Sequence, residues 1–268
     1  MEQAEVVKTP ITRDTITTFD GIEHEREEIL SKMDDDDFYY GYLGKNALSS
    51  SSLKKLLTSP KEYAMSLEGV TQETSALIDG RLFHMNLLEP EKFEALNVVE
   101  VASKNTKAYK EAKAELGEVY TRAEIDRAIS LCEIMKNNKV AMEYLKGATY
   151  EVPEIATIEG VPFRGKADIV KGKTIIDIKT TSEIQNFYFS ARRFSYDLQA
   201  ALYLKLFEDA DEFIFICIDK KTHDIGIYEC SDEFLGSGLK KLKKGIADYK
   251  FFFQEDTDLE QYVIRDTI

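Results

Sequence analysis

Between Phe163 and Thr181 the chain reads FRGKADIVKGKTIIDIKTT, and no other stretch constrains the fold as strongly. The run Thr174–Thr180 is rich in β-branched residues, which suit a strand interior, and Lys171-Gly172 before it fits a tight turn. A β-hairpin is predicted. Side chains two apart in a strand share a face. Asp177 and Lys179 therefore project together, and Ile176 and Ile178 take the opposite face. A two-residue loop sets Val170 opposite Lys173 and Asp168 opposite Ile175, which shares the face of Asp177. Asp168 is then diagonal to Asp177, at roughly 7–8 Å between Cα atoms. A three-residue loop would send Asp168 to the other face, so the pairing rests on register. A lone D-x-K in an acidic protein is ordinarily a surface ion pair. Here the strand is otherwise apolar and a second carboxylate sits at compatible register, which favours a hard-cation pocket with a lysine beside it.

Downstream, Phe189–Phe207 places Phe194, Leu198, Ala201 and Leu202 at helical spacing, predicting one amphipathic helix. Gln199 and Tyr203, four apart, share a face of it. Upstream, a helix is predicted from about Thr74 to Leu88, stopped by Pro90. It carries His84, with Gly80 one turn earlier. A single histidine on an apolar helix is ordinarily a hydrogen-bonded core residue, so His84 alone identifies nothing.

The order His84, Asp168, Asp177-x-Lys179, Gln199-x-x-x-Tyr203 resembles the PD-(D/E)XK nuclease superfamily in its RecB-like branch. More closely, it resembles the nuclease domain of the RecE-type (exonuclease VIII) exonucleases of phage and prophage recombination systems. SSSSLKKLLTSPKEY (Ser49–Tyr63) is similar to that group's opening helix, GRLFHMNLLEPEKF (Gly80–Phe93) to its histidine motif, and GKADIV, IIDIKTT and YDLQAALY to its core. The likeness runs from about Asn46 to Lys250 and is specific near the motifs. Asp168 stands in a G-K-A-D context where the superfamily has Pro-Asp, and the family's glutamate on the preceding strand falls on Glu151 or Glu154.

The resemblance implies an α/β fold, a restriction-endonuclease-like core with a central mixed β-sheet flanked by helices, plus N-terminal helical additions. Asp168, Asp177 and the Ile178 carbonyl would hold Mg²⁺, with Mn²⁺ able to substitute, and by resemblance His84 joins them. Lys179 would hold or deprotonate the attacking water, while Gln199 and Tyr203 orient the lysine and the substrate strand. Lys166, Arg192 and Arg193 are candidates for phosphate contacts. The implied activity is 5′→3′ digestion of linear double-stranded DNA from its ends. It leaves a 3′ single strand for a RecT-type annealing partner, and the enzyme is expected to be a homo-oligomer enclosing the DNA. Two other classes stay open: an endonuclease or repair-complex nuclease module using the same site, and a non-catalytic DNA-binding or interaction protein with a vestigial site. The intact Asp168, Asp177 and Lys179 speak against the last.

The net charge of −14 runs against a DNA-binding role. Much of the acid lies in Glu23–Glu28 and Asp34–Asp37, and screening beyond roughly 8–10 Å lets a local basic channel work on an acidic body. Residues 1–38 are expected to form an acidic extension, helical around Glu23–Lys32 and otherwise flexible. Residues 39–268 are expected to form the nuclease domain. Cys132, Cys217 and Cys230 are odd in number and scattered, which fits reduced thiols in a cytoplasmic protein and excludes a four-cysteine iron–sulfur site. The longest apolar run, Phe213–Ile218, is too short to cross a membrane. It starts a predicted hairpin with Gly226–Cys230, followed by a long helix over Asp232–Phe253.

Overall fold

A six-stranded sheet organises the computed structural model, which describes residues 10–69, 74–255 and 257–264. Its strands are β1 (Ile11–Thr12), β2 (Thr149–Ile158), β3 (Val161–Lys171), β4 (Thr174–Thr181), β5 (Glu212–Asp219) and β6 (Ile225–Glu229). They lie side by side in that order. Every neighbouring pair is antiparallel except β4 with β5, which is parallel. A parallel pair needs a long crossover, and the helices between Thr181 and Glu212 supply it. The sheet is therefore mixed, as expected.

Turn chemistry sets the register around the site. Glu159 and Gly160 both have positive φ, 52° and 81°, the combination that matches strand twist in a two-residue hairpin. The β3–β4 turn is Gly172-Lys173, with Lys171 paired to Thr174 and Val170 to Ile175. The expected turn, Lys171-Gly172, was one residue early. Gly172 takes φ +60° at the first central position, where a Cβ would be penalised, so the turn moves forward by one residue and the register by two. An even shift keeps each side chain on its face. Asp168 thus stays on the side of Asp177, and continuing the ladder one step sets the two directly opposite rather than diagonal.

Five helices build the layers: α1 (Ser50–Thr58), α2 (Ser75–Leu88), α3 (Arg122–Asn137), α4 (Tyr196–Leu206) and α5 (Asp232–Tyr249). Their starts follow capping chemistry: Ser49 and Thr121 form capping boxes with Ser52 and Glu124, and the Thr74 hydroxyl accepts from the Leu77 N–H. Helices α1, α4 and α5 cover one sheet face, packing on Phe163, Ala167, Ile175, Phe213 and Phe215. Helices α2 and α3 cover the other, where Phe83, Leu131 and Met135 meet Ile169, Ile176, Ile214 and Ile216. A sheet buried on both faces is a three-layer α/β core.

Two expectations are corrected. The single helix over Phe189–Phe207 is two, Phe187–Arg193 and α4, broken at Ser195, which has φ +55°. The break brings Asp197, 1% exposed, onto α5, where Lys241 Nζ approaches it at 2.7 Å and the Ser237 hydroxyl donates to it at 2.8 Å. Nor is the acidic segment a flexible extension within residues 10–38. Strand β1 pairs with β2, Glu23–Glu25 pairs with Thr15–Thr17, and the helix starts at Arg26. Ile16, Ile29 and Met33 are fully buried against Leu43 and Ile155. These apolar residues are spread over several short elements, so no single periodicity announces them.

Candidate active site

Three adjacent strands and one helix converge at Asp168. On β2 and β3, Tyr150 pairs with Ile169 and Val152 with Ala167, so Glu151 stands opposite Asp168. Glu151 has φ +50°, rare for a residue with a Cβ and costly unless its surroundings enforce it. The two-residue alternation of β3 breaks at the same point. Ala167 and Val170 pack on one side of the sheet and Ile169 on the other. The β3–β4 ladder extends no further than Ile169 and Ile176, and the Asp168 carboxylate accepts from the freed Ile178 N–H at 2.8 Å. A strand residue directs its N–H and C=O to the same neighbour, so the Ile178 carbonyl faces this gap too.

His84 reaches the sheet from α2. Its Nε2 lies 3.0 Å from Asp168 Oδ1 and 3.4 Å from Glu151 Oε1. Burial disfavours the imidazolium, but the Asp168 carboxylate beside it, with Glu151 and Asp177 beyond, outweighs this and lifts the pKa to about 9. Burial pushes the Glu151 carboxyl up to about 7. Burial also works against the charge on both aspartates. For Asp168 the His84 charge more than offsets it and the carboxyl stays below its ordinary value. For Asp177 Lys179 offsets it only in part and the carboxyl ends above.

Asp177 is 2% exposed. Its Oδ1 accepts from Gln199 Nε2 at 2.6 Å, and Lys179 Nζ contacts its Oδ2. Burial penalises the Lys179 ammonium, yet Asp177 and Asp168 together keep its pKa above the ordinary lysine value. A firmly protonated amine supplies charge and a hydrogen-bond donor. In the metal-free protein this suits the holding of a water or phosphate oxygen.

The residues fit a divalent cation. One ligand atom each from His84, Glu151 and Asp168 lies within 4.8 Å of the others, and Glu151 Oε1 is buried with no hydrogen-bond partner among the described residues. Carboxylate oxygens predominate, and Asp177 and the Ile178 carbonyl adjoin them, which favours hard cations over thiophilic ones. The cluster opens into a groove of about 800 Å³ also lined by Lys54, Lys179, Phe194 and Tyr196.

Residues 49–258 match the family described as a PDDEXK-like domain of unknown function (DUF3799). The chain belongs to this family. Among solved structures, the "Putative exonuclease" of Eubacterium rectale is similar at a TM-score of 0.66 and 17% identity, over 87% of this chain and 95% of that one. At that identity the likeness speaks for the fold alone. A phage related exonuclease from Haemophilus somnus is similar at a TM-score of 0.34 and 16% identity, over 79% of this chain and 96% of that one. No curated protein matches.

Within the PDDEXK-like fold the expected residues divide. His84, Asp168, Asp177, Ile178, Lys179 and Gln199 all line the groove, although Gln199 holds Asp177 and not the lysine. Tyr203 does not line it. The Tyr203 hydroxyl donates to the Lys166 carbonyl at 3.0 Å and accepts from the Lys166 N–H at 3.3 Å, which fastens α4 to β3 two residues before Asp168. Lys166 faces a second recess, on the far side of His84, with Glu151 and Tyr40. Arg193 lines a side recess continuous with the groove. Arg192 pairs with Glu233 at 3.0 Å and lies over the Tyr188 ring. Of the two candidate glutamates, Glu151 joins the cluster, while Glu154 accepts from Arg26 at 3.1 and 2.5 Å. Lys54 and Tyr196 were not anticipated. Lys54 lies inside the stretch resembling the opening helix, the one signal that could have found it.

Proposed function

We propose that this chain is a metal-dependent deoxyribonuclease acting at the ends of linear double-stranded DNA. It digests one strand 5′→3′ and leaves a 3′ single strand for recombination through a RecT-type annealing protein. The observation that carries this reading is the convergence of His84, Asp168, Asp177 and Lys179 on one groove, with Glu151 completing the His84–Asp168 cluster from the adjoining recess. A bound Mg²⁺ or Mn²⁺, held by His84, Glu151 and Asp168 beside Asp177 and the Ile178 carbonyl, would supply an activated water and offset phosphate charge. The remaining work belongs to the chain. Lys179, anchored by Asp177, offsets the negative charge that grows on the phosphoryl oxygens. Gln199 fixes the orientation of Asp177. Lys54 and Arg193 hold backbone phosphates without reading sequence. Hydrolysis gives a 5′-phosphate.

A homo-oligomer enclosing the DNA accords with the charge of −14, since a lined passage confines the contacts of an acidic protein. The free state of Cys132, Cys217 and Cys230 accords with a cytoplasmic enzyme. Among the described residues no helix is long and apolar enough to cross a membrane.

The test incubates linear and closed-circular duplex with Mg²⁺, Mn²⁺, Ca²⁺ or excess EDTA. Loss of the linear form alone, in Mg²⁺ and Mn²⁺ only, is expected, with a 5′-end label released first. Nicked circles would make the chain an endonuclease. Survival of both forms in every condition would end the nuclease reading, and full activity in EDTA would end the metal mechanism.

A further inference from the structure

Outside the metal cluster, the rim of the groove carries an unusual surface. Six aromatic side chains are exposed among the described residues, and three of them, Tyr188, Phe189 and Phe194, fall within one short stretch. On the helix Phe187–Arg193, Phe187 and Ala191 turn inward and are buried. Tyr188 and Phe189 are left outward, 56% and 68% exposed, and Phe194 beyond the helix is 44% exposed. Clustered apolar exposure of this kind is what a binding surface shows.

Cations accompany the rings. Arg192 lies 4.8 Å from the Tyr188 centroid, and Arg193 and Lys54 lie 5.8 and 5.4 Å from that of Phe194. Phe194 also lines the groove that holds Asp168 and Lys179, so this end of the surface meets the site. Rings interleaved with positive charge suit a polyanion whose repeating unit has a flat face. An apolar protein partner seated here would have to desolvate three cations.

We propose that Tyr188, Phe189 and Phe194 form a stacking platform for the unpaired bases of a single-stranded nucleic acid at the mouth of the groove, with Arg192, Arg193 and Lys54 against its phosphates. Every base has a π-face, so such rings hold a strand without reading its sequence, and the cations add a salt-dependent attraction. The proposal rests on the nuclease reading for its place beside the groove, but stacking itself needs no chemistry.

The experiment measures binding of a fluorescent oligo-dT 20-mer to the full-length chain in EDTA, alongside Tyr188→Ala, Phe189→Ala and Phe189→Leu. Both positions are exposed, and melting curves check that the variants fold. Each alanine change is expected to weaken binding by roughly fivefold to 100-fold. Phe189→Leu should lose as much, because leucine keeps the apolar surface and not the π-face. Parent-like binding in all three variants, parent-like binding in Phe189→Leu alone, or no binding by the parent each overturns the platform. Cleavage of linear duplex by the parent is scored separately. Ring-dependent binding without cleavage removes the nuclease reading and keeps the platform, and cleavage with ring-independent binding does the reverse.

Discussion

Replacing Glu151 by glutamine should make the metal-free protein more stable while disabling its site. Glu151 Oε1 is buried and has no hydrogen-bond partner among the described residues, and burial holds the carboxyl at about 7 against an ordinary 4.5. An unfolded chain ionises this group first, so the folded state loses stability as pH rises from about 4.5 to about 7, and the loss is complete above that. At about 1.4 kcal/mol per pH unit this amounts to roughly 3 kcal/mol. The side chain keeps 20% of its exposure, and solvent screening reduces the figure to about 1–2 kcal/mol. Glutamine has nearly the same shape and nothing to ionise. In a chain of this size about 1 kcal/mol moves the melting midpoint by about 2–4 °C, so Glu151→Gln should melt roughly 2–8 °C higher at pH 8 in EDTA. The gain should vanish below about pH 4.5. Calorimetric titration with Mn²⁺ should show its affinity falling by at least about tenfold, as loss of a ligand or its orienting partner commonly does. A midpoint at pH 8 equal to or below the parent's, with Mn²⁺ affinity intact, would refute the placement of Glu151 as a carboxylate that burial destabilises beyond what His84 offsets and that a cation would hold.

Two further changes separate chemistry from scaffold. Lys179→Ala leaves all three carboxylates in place, so Mn²⁺ binding by calorimetry should persist while DNA turnover falls by about 100-fold or more; turnover at the parent rate would remove β4 from the active site. Lys241→Met strands the Asp197 carboxylate, 1% exposed, with only the Ser237 hydroxyl and the Leu198 N–H among the described residues. A broken buried pair of this kind costs about 3 kcal/mol, and the midpoint should drop by roughly 6–12 °C. An unchanged midpoint would mean that Asp197 does not depend on the cation to stay buried.

What can be read in the sequence is what short-range chemistry decides. The strand around Asp177 announces itself by β-branched residues, and the helix that carries His84 by its apolar run and the stop at Pro90. The choice between Glu151 and Glu154 is not readable this way. Strand periodicity alone puts the two on opposite faces, and the left-handed backbone at Glu151 that aims it at His84 is a product of tertiary packing. The break at Ser195 comes with contacts from Lys241, more than forty residues away, to both Ser195 and Asp197. Tyr203 shares a helix face with Gln199, yet a backbone bond to Lys166 claims its hydroxyl. Side-chain spacing predicts which residues are neighbours, and the competing partners decide what each neighbour does.

The packing of residues 10–38 means that the unit that folds is larger than the unit that is recognised. The family match opens at residue 49, whereas β1, the Arg26–Lys32 helix and the residues between them lie along the outer side of β2. A fragment trimmed to 49–258 would keep every side chain of the groove. It would also uncover Ile155, strand Glu154 without Arg26 three residues from Glu151, and leave β2 as a bare sheet edge. Bare edges recruit other strands, so such a fragment would self-associate. Its failure to cut DNA would report on a lost flank and say nothing about the catalytic groups.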